Sequence, residues 1–275
     1  MSMGAGFVSG WWQNLGNKLD HGVQARMNTR TYSPVVELRQ YTLHPGRRDE
    51  LIELFDREFV ETQEAVGIQV IGQFRDLDEP DRFVWLRGFN DMAAREHSLH
   101  AFYGGPVWKA HRDAANATMI DSDNVLLLRP ARPTSGFTLT HSERRASDNN
   151  VAPNGFVSAT IHYFDSAVDS DFITYFENKM TPTLIDAGAL ILAYFVTEDS
   201  ANNFPALPVR ENENVFVWFA GFEDQAGYEN YAATLANSKV WNEEILKSLT
   251  QQQTRVPDQL KLSPTARSRL IGRNQ

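Results

Sequence analysis

The chain contains an internal repeat, and this repeat restricts the fold more than any other feature of the sequence. Residues 83–91 read FVWLRGFND and residues 216–224 read FVWFAGFED, at an offset of 133 residues. Upstream, Phe55, Gly67 and Phe74 match Phe176, Gly188 and Phe195 at an offset of 121 residues. The second copy therefore has one loop that is 12 residues longer, between Phe195 and Phe216. Self-similarity of this kind indicates a duplicated structural unit, so we expect two similar halves.

Each copy has the pattern strand, helix, strand, strand, helix, strand. In the first copy a β-rich run from Val35 to Leu43 stops at a Pro-Gly turn, and residues 48–66 have mostly helical spacing of apolar residues. Gly67 is predicted to end this helix, and Asn90 or Asp91 to cap the next one. This order is that of the ferredoxin-like unit. The predicted fold class is therefore α+β, with two tandem ferredoxin-like βαββαβ repeats that form one pseudo-dimeric α+β barrel.

Changes in composition along the chain predict the boundaries of the two repeats. Residues 131–155 are rich in Pro, Ser, Asn and Arg, as expected of a linker. The predicted segments are an N-terminal arm (1–34) that carries Trp11 and Trp12, a first repeat (35–130), the linker (131–155), a second and divergent repeat (156–262), and a mobile tail (263–275).

The overall composition narrows the classes of function. The net charge is −9, which argues against nucleic acid as a partner, because such proteins usually present a basic surface. The chain has no cysteine, which excludes disulfides and thiolate metal sites. No apolar run is long enough for a membrane span, and no secretory signal is recognisable, so we expect a cytoplasmic protein. Self-association into a homo-oligomer remains open.

Alternation along the predicted strands separates a polar face from an apolar face. On the first strand, Glu37, Arg39 and Tyr41 share one side, and Val36 and Leu38 share the other. We expect the apolar side to pack against the helices and the mixed side to face the partner sheet. The space between the two sheets would then be aromatic with a few polar groups, which is typical of a small-molecule pocket.

The first repeat resembles the NIPSNAP family. The resemblance lies in residues 37–46 (ELRQYTLHPG), in the Trp-Leu-Arg-Gly-Phe run that ends the third strand, and in residues 90–96 (NDMAARE). The second repeat resembles the family more weakly, because Ser158, Thr160, Ala220 and Tyr228 replace Glu37, Arg39, Arg87 and Arg95. The resemblance implies the dimeric α+β barrel fold, whose superfamily includes cofactor-free oxygenases, isomerases, haem-degrading enzymes and non-catalytic proteins. It specifies the fold more closely than the function.

The polar residues of the predicted pocket suggest a site for an anionic organic substrate. Arg39 and Arg87 are candidate anion donors, and Glu37 is a candidate proton acceptor if burial raises its pKa. The alternative is a buried ion pair that serves only the fold. The remaining candidates are His162 as a second acid or base, Tyr41 as a substrate contact, and Trp85 and Trp218 as the apolar wall.

Three further histidines occur in the first repeat alone. His97 and His100 share a helix face, and His111 follows after the Gly104-Gly105-Pro106 break. Solvated helix histidines explain this pattern better than a metal site, so no metal is predicted. No cofactor is predicted either, although a single axial histidine would suffice for haem, and haem binding stays an alternative.

The leading functional hypothesis is therefore a small-molecule pocket between the two sheets. If it is catalytic, cofactor-free proton transfer or oxygenation of an aromatic or acidic organic compound fits these residues. The alternative is a non-catalytic interaction module, in which the polar residues are paired structurally and the working surface lies outside.

Overall fold

The computed structural model describes residues 33–139, 144–145 and 151–272. The arm that carries Trp11 and Trp12 lies outside the described residues, as do parts of the linker and residues 273–275. Within the described ranges, no helix combines the length and apolar character that crossing a bilayer demands.

Eight antiparallel strands in this part of the chain close into a barrel in the order β1-β3-β2-β8-β5-β7-β6-β4. They are β1 (Val35–Leu43), β2 (Gln69–Asp76), β3 (Arg82–Phe89), β4 (Met119–Pro130), β5 (Phe156–Phe164), β6 (Leu190–Thr197), β7 (Asn214–Phe222) and β8 (Asp258–Pro264). The first half supplies β1–β4 and the second half β5–β8. The halves meet at two short seams of three residue pairs each, between β2 and β8 and between β4 and β6. The predicted α+β barrel is confirmed.

The helices lie outside the barrel. The first half has α1 (Arg48–Leu54), α2 (Val60–Glu64), α3 (Met92–Gly104) and α4 (Pro106–Asn116), and a π-helical turn (Phe55–Phe59) joins α1 to α2. The second half has α5 (Ser170–Tyr175), α6 (Thr181–Asp186), α7 (Gln225–Ala236) and α8 (Leu246–Gln252). A second π-helical turn (Phe176–Met180) joins α5 to α6, and a third (Trp241–Ile245) precedes α8.

Local signals in the sequence set the helix ends in the same way in both halves. The Asp91 side chain accepts a hydrogen bond from the Ala94 amide at 2.6 Å, and Asp224 accepts one from Gly227 at 2.8 Å. At the other end of the first helical region, Gly67 has a φ of +92°, and its counterpart Gly188 has a φ of +113°. These left-handed conformations favour glycine, so the predicted helix end at Gly67 is confirmed.

Three apolar clusters show how the layers pack. One cluster draws alternate residues from all eight strands of the barrel and none from the helices. The other two clusters each combine one half's strands with that half's helices. The first cluster therefore fills the barrel interior, and the other two form the layers between sheet and helices.

The strand alternation is as expected, but the assignment of the two faces was wrong. Val36 and Leu38 point into the barrel interior, where they meet the apolar residues of the other half. Glu37, Arg39 and Arg87 instead lie on the face that the helices of the first half cover, together with Tyr41 and Trp85. The reason is that the barrel interior offers only apolar neighbours, whereas the helices carry the polar partners that buried charges require.

Two straps seal the barrel, and each strap crosses from one half to the other. Residues 131–139 follow β4, and their Phe137 and Leu139 enter the barrel interior. Residues 265–272 follow β8 and pack beside β2, where the Leu270 amide donates to the Ile71 carbonyl at 3.0 Å. The prediction of a mobile tail was therefore wrong for residues 265–272, because Leu270 is buried among barrel residues.

The two straps contact equivalent acidic residues in the π-helical turns. Arg132 of the first strap forms an ion pair with Glu177 at 3.2 Å, and the Tyr194 hydroxyl also donates to Glu177. Arg267 of the second strap donates to the Asp56 carbonyl, and Gln73 donates to the Asp56 carboxylate at 2.6 Å. Asp56 and Gln73 correspond to Glu177 and Tyr194 at the repeat offset of 121 residues. The similarity between the two halves thus extends to the contacts that hold the straps.

Candidate functional site

The polar residues predicted from the first repeat form one buried cluster between the first sheet and its helices. Glu37 and Arg39 are two residues apart on β1, and Arg87 lies directly opposite Glu37 on the neighbouring strand β3. Arg95 joins them from α3, which crosses this face of the sheet. All four side chains are fully buried.

Glu37 is the centre of the cluster and accepts hydrogen bonds from three guanidinium groups. Arg39 Nη1 and Arg87 Nε donate to Glu37 Oε2 at 2.6 and 2.7 Å, and Arg95 Nε donates to Oε1 at 2.7 Å. Although burial alone would raise the pKa of Glu37, the charges of Arg87, Arg39 and Arg95 hold it well below its ordinary value. Glu37 therefore stays ionised near neutral pH and cannot act as the proton acceptor that the sequence suggested.

The cluster carries more positive charge than Glu37 can balance. Three guanidinium groups against one carboxylate leave an excess of two positive charges. The Nη2 atoms of Arg39, Arg87 and Arg95 are all buried and have no hydrogen-bond partner among the described residues. Buried donors are normally paired, and buried charges are normally balanced. The cluster thus has an excess of positive charge and three guanidinium nitrogens without a hydrogen-bond acceptor among the described residues.

Aromatic side chains separate the arginines from a small cavity. The Arg39 guanidinium lies 5.3 Å from the ring centre of Tyr41, and its Nε donates to the Tyr41 hydroxyl at 2.9 Å. The Arg87 guanidinium lies 5.1 Å from the ring of Trp85, and its Nη1 donates to the Tyr103 hydroxyl at 3.3 Å. These contacts place the guanidinium cations against aromatic rings, and the cation–π attraction stabilises the cations in a layer without water.

The cavity itself has an aromatic wall and a few polar groups. Its lining includes Tyr41, Phe59, Gln63, Trp85, Tyr103 and Trp108. The free space is about 30 Å³, which holds about two ordered water molecules. Trp85 Nε1 is buried without a partner among the described residues, so the cavity offers unused hydrogen-bond donors. A larger ligand requires the covering helices to move outward.

The strands and helices of the second half do not contribute to this cluster. His162 and Trp218 occupy the equivalent face of the second sheet, under α5–α8, so the structure does not bring them together with Glu37 and Arg39. Trp218 Nε1 donates to His162 Nε2 at 3.1 Å, and burial lowers the pKa of His162 to about 4. His162 is therefore a neutral core histidine near pH 7. The prediction that these two residues share a site with the first half was wrong.

The histidines of the first repeat form no metal site in the structure. His97 and His100 are exposed on α3, and His111 on α4 lies 3.4 Å from a Glu58 oxygen. Within the described residues, no group of three or more potential ligands is arranged to hold a metal ion. Haem does not fit the cavity in this conformation either, because no histidine lines it and the free space is far too small for a macrocycle.

Sequence reasoning missed Arg95 as a site residue, and it also missed the loop residues that contact it. A signal was present, because Arg95 is lost from the second repeat together with Glu37, Arg39 and Arg87. Residues that disappear together from one copy are candidates for one shared role. The loop residues Asn202 and Asn203 carry no such signal, but they lie in the 12-residue insertion of the second copy.

Comparison with known proteins agrees with this architecture. The NIPSNAP family model matches residues 36–133. A monooxygenase-like protein from Fusobacterium nucleatum subsp. nucleatum is 12% identical over 88% of this chain and 96% of its own, with a TM-score of 0.50. An anthrone oxidase-like protein is 10% identical over 86% of this chain and 95% of its own, with a TM-score of 0.51. No functionally curated protein matches the sequence.

At these identities the two solved structures show the fold alone. Each of the two structures aligns over nearly its full length with both halves of this chain, so the whole barrel is shared. The family match covers the half that carries the arginine cluster and stops three residues after β4. Residues 36–133 are therefore similar to the NIPSNAP family, within a chain that has an α+β barrel fold.

Proposed function

We propose that the cavity between the first sheet and its helices, enlarged by outward movement of the covering helices, binds a small aromatic organic compound in its anionic form. The observation that carries the proposal is the excess of two positive charges, with three free Nη2 atoms, buried beside an aromatic cavity. Arg39 and Arg87 bind the anionic group, Tyr41 donates a hydrogen bond to it, and Trp85 forms the wall against the ring.

The energetics of burial support a binding role over a purely structural one. A buried ion pair contributes little to stability even when its charges balance, and each unpaired charge costs several kcal/mol. Two of the three arginines are therefore a net cost to the folded chain unless an anion joins them. In the same proposal, the chain arose by tandem duplication of a ferredoxin-like unit, and one copy kept the charged site.

Oxygenation of the bound compound is the chemistry that these surroundings favour. The arginines and Tyr41 lower the pKa of an acidic ligand, because they stabilise its enolate or phenolate form, and the released proton leaves to solvent. The resulting carbanion donates its electrons to dioxygen. A CH₂ group then becomes a carbonyl: one oxygen atom of O₂ enters the carbonyl, the other leaves as water with the two hydrogens of the CH₂ group, and the substrate supplies all four electrons. The anthrone oxidase-like and monooxygenase-like proteins of the same fold support this choice of reaction.

A binding experiment tests the proposal. Salicylate serves as the anionic aromatic probe and salicylamide as its neutral analogue, and both are titrated by calorimetry. We expect salicylate to bind at least about tenfold more tightly than salicylamide, and Arg39→Met or Arg87→Met to remove that preference. Arg132→Met, which removes an arginine from an ion pair with the second half, is the matched control and should leave the preference for salicylate unchanged. Equal binding of the two probes would contradict the proposal.

A second experiment tests the reaction. Oxygen uptake is followed with anthrone as the substrate, and the Arg87→Met variant serves as the comparison. We expect the unmodified protein to accelerate uptake and the variant to lose at least about tenfold of that rate, because one charge-assisted contact to the enolate is gone. If the protein binds salicylate but does not accelerate oxygen uptake, the proposed binding role stands and the proposed oxygenase activity is rejected.

A further inference from the structure

The long loop between β6 and β7 belongs to the second half but lies on the site of the first half. It spans the 16 residues 198–213, whereas its counterpart between β2 and β3 has five residues (77–81). Its two ends are held by β4, since the Glu198 amide donates to the Leu127 carbonyl and the Arg210 amide donates to the Val125 carbonyl. The middle of the loop extends to α3 of the first half.

Two neighbouring asparagines of this loop hold Arg95. Arg95 Nη1 donates to the side-chain oxygens of Asn202 and Asn203 at 3.1 and 2.6 Å. Asn203 Nδ2 in turn donates to the Met92 carbonyl in the first turn of α3. Arg95 thus spans from Glu37 at the sheet to the loop, and its orientation depends on both ends.

The next loop residue contacts the wall of the cavity. Phe204 is buried and stacks on Tyr103, with ring centres 5.8 Å apart and an angle of 28° between the planes. The Phe204 ring also packs edge to face with the His100 ring, with ring centres 4.8 Å apart. Tyr103 lines the cavity and accepts a hydrogen bond from Arg87, so Phe204 fixes a residue that contacts both the cavity and the cluster.

The opposite side of the loop is not packed. A polar cavity of about 390 Å³ lies between the loop and the strand ends, lined by residues such as Thr197, Glu198, Arg210 and Asn214. The loop is therefore held at its ends and at its contacts with α3, and it has free space between its two arms.

We infer that Asn203 and Phe204 of the second half complete the ligand site of the first half and determine which ligands it accepts. This inference rests on the proposed function. Asn203, with Asn202, is a positioning residue that directs Arg95 towards the anion, and Phe204 closes the aromatic wall through Tyr103. Two asymmetries of the duplicated chain then have one explanation, because the long loop and the charged cluster each occur in one copy and meet at one place.

The loop also sets the local charge, and this gives the inference a sharp test. The two asparagines provide neutral oxygens to Arg95, so the excess of positive charge is preserved for the ligand. Asn203→Asp adds a carboxylate at the same position, which pairs with Arg95 and reduces that excess. We expect this variant to melt at a higher temperature than Asn203→Ala, which also loses the hydrogen bond to the Met92 carbonyl, and to bind salicylate about tenfold more weakly than the unmodified protein. A residue with a purely structural role would change stability and affinity in the same direction.

The full experiment compares five proteins by salicylate titration and thermal unfolding. Asn203→Ala and Phe204→Ala should each weaken binding at least about fivefold, because a preorganised contact is lost. Ala206→Ser, at an exposed position of the same loop, is the control and should bind like the unmodified protein. If the unmodified protein binds salicylate and all loop variants bind it equally well, the inference fails and the proposed function stands. If the unmodified protein does not bind salicylate, both fail.

Discussion

The two halves of the molecule share one architecture but differ at the same four positions. Glu37, Arg39, Arg87 and Arg95 of the first half correspond to Ser158, Thr160, Ala220 and Tyr228 of the second. In the second half, Tyr228 stacks on Phe156 with ring centres 4.5 Å apart, in the layer where the first half has its arginines. One half has therefore replaced buried charge with aromatic packing. The comparison shows that the same layer between sheet and helices forms with the charged residues in one half and without them in the other.

The largest expected difference between the halves follows from removing the single acid of the cluster. Glu37→Gln leaves three buried guanidinium groups without a counter-charge, and we expect it to reduce the free energy of unfolding by about 3–5 kcal/mol. Ser158→Ala at the equivalent position should change it by less than about 1 kcal/mol. Urea unfolding of both variants measures this. Similar losses would mean that the cluster is not electrostatically distinct from its counterpart.

The halves should also respond oppositely to pH between about 4 and 6.5. Burial, offset only in part by Arg267 and Gln73, raises the pKa of Asp56 to about 6, so the folded state holds its proton more tightly than the unfolded state. The contribution of Asp56 to the free energy of unfolding is present below about pH 4 and is lost as the pH rises through 6. Asp56→Asn should therefore stabilise the protein at pH 7 by up to about 2 kcal/mol and have little effect at pH 4.

His162 in the second half has the reverse effect. Its pKa of about 4 lies below the ordinary value of 6.5, so between these pH values the unfolded state binds a proton that the folded state does not bind. Stability is lost as the pH falls from 6.5 towards 4, and His162→Gln should reduce this loss by up to about 3 kcal/mol. Unfolding curves at pH 4.5, 5.5 and 7 measure both variants. The stabilisation by Asp56→Asn should grow from pH 4.5 to pH 7, whereas that by His162→Gln should shrink, and the same trend with pH in both variants would contradict the assignment.

The two straps provide the smallest predicted difference. Arg267 is almost fully buried and Arg132 is about one-third exposed, although both contact the π-helical turn of the opposite half. Arg267→Met should cost about 2 kcal/mol, because a buried guanidinium that donates to the Asp56 carbonyl is lost, and Arg132→Met less than about 1 kcal/mol. Thermal unfolding distinguishes them, and an equal cost would show that burial does not separate the two straps.

Much of the fold could be predicted from the sequence because its signals are local or periodic. The repeat, the helix end at Gly67 and the alternation along β1 all follow from short-range patterns. The direction of each face could not be predicted in the same way. Alternation shows that Glu37 and Leu38 point to opposite sides, but it does not show which side meets the helices. That choice depends on Arg95, which reaches the sheet from α3, 58 residues further along the chain.

The site was therefore predicted in composition but misplaced in the fold. Four of the expected residues, Arg39, Tyr41, Trp85 and Arg87, do come together with Glu37. His162 and Trp218 were added because a pocket between the sheets would have joined the two halves. The barrel interior is filled with apolar side chains instead, so each half keeps its own layer between sheet and helices.

The most direct test of a single anion site in the first half is a crystal structure with 5-iodosalicylate. The anomalous signal of iodine locates the compound without assumptions about its pose. We expect the peak in the cavity beside Tyr41, Trp85 and Trp108, with the carboxylate turned towards the free Nη2 atoms of Arg39 and Arg87. A peak between the two sheets, in the equivalent layer of the second half, or at the surface alone would contradict the account.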